Sequence, residues 1–533
     1  MSNSLPLPSE YSPRTINELL LDRANQYPNK LGFVGKFHDG EYHSVTYLEW
    51  IRLTDKLAGS LYHMFGVKKG SKVAWVLDNR NGGEAVLLYH AVLKLGAINV
   101  PINPRLTTTE IKYILEHSEA DLCFFSIDSK HVMQAIEAMS IKTIPIVIGD
   151  ETIQSNTSNW DEVMKDPGFT PPVIDIQSED DANLLYTSGT TGHPKGVLHT
   201  HGSSIAAGIG WCDALRMRQQ DVNQTPFPIF VGGCLHFNGL AILWAGGTFV
   251  IDDYQTESSL MLMDKYRTTV YVAVPSIYQY ILESPILEDV DLSCLRILDY
   301  GGASMAPSII KRMQEVFPNT GLVQSYGLTE AGPGGLYLSE DYALSKLGSV
   351  GNRGMYRHMH FRVVDENGND VGPDTIGEFI LRGPSIMKEY YKNPEATANA
   401  LRDGWLYTGD LVKMDADGFV YHIDRKKDIV VRGGYNISSA EVEAALLDHP
   451  AVLEAAVVAK PHEKLGEDIK AFVVLRRGRN IKEAELTEFC RKKLADFKVP
   501  RDITFLSELP KSAVGKVLKR VLREDLLLKG EDL

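Results

Sequence analysis

Cysteine is scarce in this 533-residue sequence. Cys123, Cys212, Cys234, Cys294 and Cys490 are scattered, odd in number, and form no C-x-x-C pair. That spacing excludes a disulfide framework and a cysteine zinc site, and reads as reduced thiols in a cytoplasmic protein. Long apolar runs are lacking too. None reaches the roughly 18 residues of a membrane span; the best candidate, Ala85 to Ile102, is interrupted by His90, Lys94 and Asn99. The opening stretch Met1 to Pro8 has neither a basic segment nor an apolar core, so no secretory signal is expected. An excess of positive charge is also missing. Lys and Arg number 55 against 69 Asp and Glu, a formal charge of −14, which is a poor basis for binding nucleic acid. No internal repeat or low-complexity tract occurs.

What is present is ordinary for a folded chain. The hydrophobic fraction of 44% and charged fraction of 23% exclude wholesale disorder. At about 100–200 residues per domain, the length allows two to four domains. Tyr47, Trp50, Ile51, Leu57, Leu61 and Met64 share a helical face that only Thr54 breaks. Strand patterns follow at Lys72–Leu77 and Ala97–Ile102, with a helical stretch around Glu84 to Leu95 between them. Val270–Val274 and Leu295–Leu298 continue the alternation, which predicts βαβ units and mainly parallel sheets. The pattern changes at Asp424-Arg-Lys-Lys-Asp428. Five consecutive charges are more polar than a buried strand tolerates, and an interdomain hinge is placed here. From Asp428 onward there are 19 basic and 18 acidic residues, so the negative charge lies almost wholly upstream. The downstream part reads as compact α+β. Ser438-Ser-Ala-Glu441 forms a capping box that opens a helix ending before Pro450. Val452–Val458 is a strand, and Leu486, Phe489, Cys490 and Leu494 form a helical stripe.

The strongest chemical signal is Leu184-Leu-Tyr-Thr-Ser-Gly-Thr-Thr-Gly-His-Pro-Lys-Gly196. A short apolar strand enters a loop of glycines, hydroxyl side chains and one lysine. Glycine lets the backbone approach a ligand closely, and a nest of amides and hydroxyls suits phosphate oxygens. It is not a Walker A loop, since no G-x-x-x-x-G-K-[ST] occurs in the chain.

Tyr186 to Gly196 resembles the phosphate loop of the adenylate-forming superfamily of acyl-CoA synthetases, peptide-synthetase adenylation domains and luciferases. Five further motifs follow in that family's order: Asp299-Tyr-Gly-Gly-Ala-Ser304, Gln324-Ser-Tyr-Gly-Leu-Thr-Glu330, Tyr407-Thr-Gly-Asp410, Asp424–Asp428 and Pro510-Lys-Ser-Ala-Val-Gly-Lys516. The resemblance covers roughly residues 15 to 525. It implies an α/β fold: a large N-terminal domain, 1–426, of mainly parallel sheets with packed helices and a β-barrel-like subdomain. A small mobile α+β domain, 427–533, would follow, with the hinge at Lys427.

The resemblance also implies the site. Thr187, Ser188, Gly189, Thr190, Thr191, Gly192 and Lys195 would receive phosphate. Gly302, Ala303, Ser304, Ser325, Tyr326 and Gly327 would surround AMP, with Asp410 and Arg425 on the ribose. Glu330 would hold Mg²⁺, a hard cation that prefers oxygen, with Thr329 near the phosphate. Lys516 would bridge the substrate carboxylate and the α-phosphate as charge builds. Gly433, Gly434 and Tyr435 would border a narrow passage for CoA, although an ordinary β-turn explains the glycines equally well. Phe227-Pro-Ile-Phe-Val-Gly-Gly-Cys234 resembles the segment lining the acid pocket. Phe230 takes the position the family often gives to histidine. Phe230, Val231, Gly232, Gly233, Cys234 and Phe237 would form apolar or small walls; His236 and Asn238 could meet a polar substituent. Pro226 to Val250 holds no acidic residue to bind an α-ammonium, so an amino acid is disfavoured.

The expected activity is an ATP-dependent carboxylic acid:CoA ligase. It would act on a fatty or aromatic acid through an acyl-adenylate, releasing pyrophosphate and then AMP. The alternative is an adenylating ligase that loads a carrier-protein pantetheine in trans. The expected partners are the acid, ATP and CoA, without nucleic acid or a membrane span; a homodimer is left open.

Overall fold

The computed structural model describes residues 5–149, 157–165, 168–187, 194–303, 305–354, 358–511 and 517–528. The chain packs as two compact units. The first comprises residues 1–361 and 381–407, the second 362–380 and 408–533.

Two sheets organise the first unit. One runs, among the described residues, in the order Arg353–Gly354, Gly335–Leu338, Gly321–Gly327, Ile297–Gly301, Val270–Ala273, Val222–Thr225, Thr248–Ile251, Leu31–Lys36, Tyr42–Thr46. Its central pairings are parallel and its outer ones antiparallel. The other runs Glu389–Tyr390, Lys195–Thr200, Asp181–Thr187, Ile98–Pro101, Lys72–Val76, Leu122–Ser126, Ile144–Ile148, Ser158–Asn159. Only the pairings made by Lys195–Thr200 are antiparallel in it. The expected α/β alternation is therefore the observed one. Near-continuous apolar strands such as Leu122–Ser126, buried at every position, suit parallel sheets covered on both faces.

The helix Tyr47–Phe65 begins where Thr46 and Glu49 cap each other. Thr46 Oγ1 accepts from the Glu49 amide at 3.3 Å and Glu49 Oε2 accepts from the Thr46 amide at 2.8 Å. It ends at Gly66, which is left-handed with φ +69°. Tyr47, Trp50, Leu57 and Leu61 of its apolar stripe are buried and Ile51 is half-buried, but Met64 lies 44% exposed in the last turn.

In the second unit, Val420–Arg425 pairs antiparallel with Trp405–Met414. A further sheet is built on the long hairpin Val452–His462 and Gly466–Leu475, flanked by Val430–Arg432, Tyr435–Ile437 and Asp502–Leu506. The helix Ser439–Leu447 starts at the expected Ser438 cap, whose Oγ accepts from the Glu441 amide at 3.2 Å. The reciprocal half of the box is not made, because the Glu441 carboxylate turns to Lys498 Nζ at 2.7 and 2.8 Å. The later stripe is a helix over Glu483–Arg491 with Leu486 and Cys490 buried; Leu494 falls beyond its end.

The charged run at 424–428 is not uniformly solvated. Asp424 and Asp428 are buried, whereas Arg425, Lys426 and Lys427 are exposed. Asp424 Oδ2 accepts from Ser439 Oγ at 2.7 Å and from the Ala440 amide at 3.2 Å, and so sits at the start of the helix Ser439–Leu447. Asp428 pairs with Arg523 at 2.5 Å. A buried carboxylate persists only with such partners. All five cysteines are free, and four of them are buried. Among the described residues no helix is long and apolar enough to cross a membrane.

Candidate active site

In an open α/β sheet, ligands gather beyond the carboxyl ends of parallel strands. The neighbouring strands Ile297–Gly301 and Gly321–Gly327 end side by side, with Gly301 opposite Ser325. They release Gly302 and Ala303 from one strand and Leu328, Thr329 and Glu330 from the other. Gly301 must be glycine, because a Cβ there would lie 2.1 Å from Ser325 Oγ. Beneath them Ser325 Oγ donates to Asp299 Oδ2 at 2.9 Å. Asp299 is fully buried, and burial pushes its carboxyl up to about 8 against the Ser325 bond.

Glu330 sits in a short 3₁₀ turn, Thr329–Ala331, closed by Gly332 at φ +85°. A Cβ at Gly332 would meet the Ser385 carbonyl at 2.7 Å, so the tight turn needs glycine. The Met387 amide donates to the Glu330 carbonyl at 2.8 Å, and Ser385 Oγ donates to the Ala331 carbonyl at 2.9 Å. The carboxylate is aimed by Tyr390, whose hydroxyl donates to Oε1 at 2.7 Å. Burial, then the Glu330 charge, push the Tyr390 phenol well above its ordinary range, so it remains a donor. Among the described residues none bonds Oε2.

Tyr390 reaches this place because Glu389–Tyr390 pairs with the phosphate-loop strand, Tyr390 opposite Val197. Lys195 Nζ then lies 4.2 Å from the centre of the Tyr390 ring, a cation–π distance. Lys195 is opposite Thr187 across the hairpin. The acid-pocket segment joins the same place: a Cβ on Gly232 would lie 3.3 Å from Leu185 and 3.4 Å from Pro333. Phe230, Val231 and Gly232 are partly exposed. Cys234 and Phe237 are buried in the seven-residue π-helix Gly233–Gly239, and the Phe237 ring stacks on Trp211 with centroids 3.5 Å apart. Asn238 is engaged too: its Nδ2 donates to the Gly233 carbonyl at 2.7 Å and its Oδ1 accepts from Asn223 at 2.9 Å.

The residues of the second unit form their own group. Asp410 and Arg425 are cross-strand partners, with Arg425 Nε 3.3 Å from Asp410 Oδ1. Gly409, at φ +74°, turns the chain ahead of Asp410. The Lys426 amide donates to the Gly409 carbonyl at 2.8 Å, which fixes the start of the hinge motif. Gly433 and Gly434, at φ +57° and +87°, form the two-residue turn between Val430–Arg432 and Tyr435–Ile437. Hairpin geometry alone requires positive φ at both. Tyr435 is exposed and stacks on Phe497 at 4.5 Å.

Within the first unit the structure thus brings together Thr187, Lys195, Gly232, Ser325, Thr329 and Glu330. Ser188, Gly189, Thr190, Thr191, Gly192, Ser304 and Lys516 lie outside the described residues. Sequence reasoning missed Tyr390. It stands 60 residues from Glu330, and no local spacing links the two; only the pairing of its strand with the phosphate hairpin does. Mg²⁺ fits the donors present. It binds through one or two carboxylates plus substrate phosphates, and among the described residues there is no cluster of three or more ligating side chains.

The family model described as AMP-binding enzyme matches residues 20–391, and that of its C-terminal domain matches 441–516. A long-chain-fatty-acid–CoA ligase of Bacillus subtilis is 34% identical over 98% of this chain and 96% of its own length. A feruloyl-CoA synthase of Amycolatopsis is 33% identical over 90% and 94%. The O-succinylbenzoate CoA synthetase of Bacillus subtilis, solved with ATP and a magnesium ion, superposes with a TM-score of 0.81 at 29% identity, covering 96% of this chain and 99% of that one. This chain belongs to the AMP-binding enzyme family, among the acyl-CoA synthetases of the adenylate-forming superfamily.

Proposed function

We propose a division of labour for the reaction among the residues described above. The chain is an AMP-forming acid:CoA ligase that uses ATP, Mg²⁺ and CoA, with a fatty or aromatic carboxylic acid as its substrate. The acid carboxylate attacks the α-phosphorus of ATP, and pyrophosphate leaves. The thiol of CoA then attacks the acyl carbon of the adenylate, and AMP leaves. No protein nucleophile is needed.

Both reactants of the first step are anionic, so the site must supply oriented positive charge and donors. Lys195 and the loop 188–192 hold the phosphates. Glu330, aimed by Tyr390, holds Mg²⁺, which when bound supplies charge neutralisation of the phosphate oxygens. Asp410 accepts from the ribose hydroxyls, with Arg425 beside it. Lys516 meets the carboxylate and α-phosphate during adenylation. Lys427 is the pivot between domains 1–426 and 427–533, so that Gly433, Gly434 and Tyr435 serve the second step in place of Lys516. Phe230, Val231 and Gly232 border the acid.

The observation that carries this reading is the Lys195–Tyr390–Glu330 arrangement. It places a cation and a free carboxylate oxygen at the strand ends, where a nucleotide's phosphates would lie. The test is a panel of fatty and aromatic acids in a pyrophosphate-release assay with and without CoA. Release that needs an acid, together with an acyl-CoA product, supports the reading. Transfer to a carrier protein but not to CoA would replace it with the trans-loading alternative.

A further inference from the structure

One buried side chain of the phosphate-loop strand has a role in none of the assignments above. His199 lies in Lys195–Thr200 and is wholly buried. Its Nε2 is 2.8 Å from the Thr329 carbonyl oxygen. A carbonyl only accepts, so Nε2 carries the proton. Nδ1 is then the acceptor and lies 3.2 Å from Ser203 Oγ, whose one proton is shared with the Thr200 carbonyl at 3.3 Å. Burial pushes the imidazole down to about 4, against the Thr329 bond, so the ring is neutral and its two neighbours select one tautomer. Across the ring, His236 of the helix Gly233–Gly239 packs edge-on with centroids 5.5 Å apart.

Thr329 is the residue before Glu330. The turn is therefore held at the Thr329 carbonyl by His199, at the Glu330 carbonyl by the Met387 amide, and at the Glu330 carboxylate by Tyr390. A leucine would fill the same space without the cost of burying a polar ring. The imidazole is thus explained by what its nitrogens hold, not by its volume.

We propose that His199 is a positioning residue whose Nε2–H holds the Thr329 carbonyl so that the Glu330 carboxylate is presented to the nucleotide's divalent cation. It rests on the reading of Glu330 as the cation-binding carboxylate. The residue ties three segments into one body: the phosphate hairpin, the Glu330 turn and, through His236, the helix that follows the acid-pocket segment.

Two full-length variants separate the ring nitrogens. In His199→Gln the amide nitrogen takes the place of Nε2 and keeps the donor to Thr329. In His199→Asn the shorter amide reaches only the place of Nδ1. Mn²⁺ serves as the probe, titrated by electron paramagnetic resonance with a non-hydrolysable ATP analogue and no acid, so that turnover is not the readout. Outer-shell partners typically tune metal affinity by tenfold or more, so His199→Asn is expected to weaken Mn²⁺ binding about tenfold and His199→Gln to stay within about twofold of the parent. In pyrophosphate release, the half-saturating acid concentration should not move in either. His199→Leu, which fills the space without a donor, carries the same expectation as the asparagine variant and stands in where that one does not fold. Parent-like Mn²⁺ affinity in the variants lacking the donor overturns the proposal, as does a glutamine variant as weak as they are. Glu330→Gln is titrated alongside. If it too binds Mn²⁺ like the parent, the reading of Glu330 falls. If it loses Mn²⁺ while the donor-less variants do not, only the role of His199 falls.

Discussion

The two units hold their polar groups in different ways. In the first, His90, His199, His201 and His236 are buried, and burial keeps each imidazole below its ordinary range and uncharged. In the second, His422, His449 and His462 are not buried, and its charge pairs include Arg432–Asp468 at 2.9 Å, Lys519–Glu443 at 2.7 Å, Lys460–Asp502 at 3.1 Å and Arg523–Asp428 at 2.5 Å, just as Arg296–Asp221 at 2.5 Å and Lys388–Asp181 at 2.6 Å fasten the first. Neutral buried hydrogen bonds are directional and insensitive to salt. A partly exposed pair such as Lys460–Asp502 contributes about 0–1 kcal/mol and is screened; Arg432 and Asp428 are buried, and their pairs are screened far less. The contrast matches the proposed labour of the units. In the proposed reading the first unit would hold the cation-binding turn, and the part of the second unit beyond Lys427 would release one pose and take another.

The sharpest test asks whether the chemistry is divided as the fastenings are. Lys516→Ala should cut acyl-adenylate formation by about 1,000-fold, the scale for losing a group that stabilises developing charge. It should spare thioester formation from supplied acyl-adenylate. Near-normal pyrophosphate release in this variant would break the division. Glu330→Gln should act in the first unit only. Turnover is expected to fall about 10- to 100-fold with a raised Mg²⁺ requirement and an unchanged melting temperature, because one hard ligand's charge is lost while Tyr390 can still bond the amide. A variant that matches the parent in rate and Mg²⁺ response would leave Glu330 a structural residue of its turn.

How much of this was legible in the sequence differs between the units for a physical reason. The α/β alternation and the nucleotide motifs could be read because each is local: a periodicity, or a loop of consecutive residues. The partners of Glu330 could not. Tyr390 and His199 come from strands 60 and 131 residues away along the chain, joined only by the antiparallel pairing at the edge of one sheet. The run 424–428 was misleading as to exposure: only its three middle residues are exposed, and the whole run lies inside the second compact unit. Nothing local says that Asp424 will find Ser439 and Ala440, or that Asp428 will find Arg523.

Acid should separate the units. His199 and His201 stand at about 4 and His90 at about 3, against an ordinary value near 6.5. Between those values the unfolded chain binds more protons, so stability rises with pH across that window and is lost as pH falls from 6.5 toward 4. Above 6.5 these groups contribute no slope. Each removes at most about 1.4 kcal/mol per pH unit, and all lie in the first unit; there Asp299, pushed up to about 8, and Asp252, pushed up to about 6, act with the opposite sign, but with His236 the imidazoles outnumber them. Hydrogen exchange read peptide by peptide at pH 7 and pH 5 should show the first unit losing protection before the second. Loss from the second unit first would break the contrast.

The smallest expected effect lies at the hinge motif. Asp424 stands before Lys427 in the chain, yet its carboxylate accepts from Ser439 Oγ at 2.7 Å, Ser438 Oγ at 3.2 Å and the Ala440 amide at 3.2 Å, all beyond the pivot. Arg523 adds contacts to the Lys427 carbonyl and the Asp428 carboxylate. A rotation about Lys427 must strain or break the Asp424 contacts, since a pivot concentrates its backbone change in a few residues. On the proposed pivot these contacts would belong to one pose and favour it. Asp424→Asn keeps the shape and one acceptor oxygen but removes the charge at the start of the helix Ser439–Leu447. A charge there is worth about 0.3–1 kcal/mol, so the balance between poses should shift by roughly two- to fivefold. In the proposed cycle the two half-reactions would use opposite poses. Their rates should consequently move in opposite directions, read as pyrophosphate exchange for the first and CoA consumption from preformed acyl-adenylate for the second. Equal slowing of both in a folded variant would mean that Asp424 is a helix cap and no more, and that residues 427–533 do not turn at Lys427.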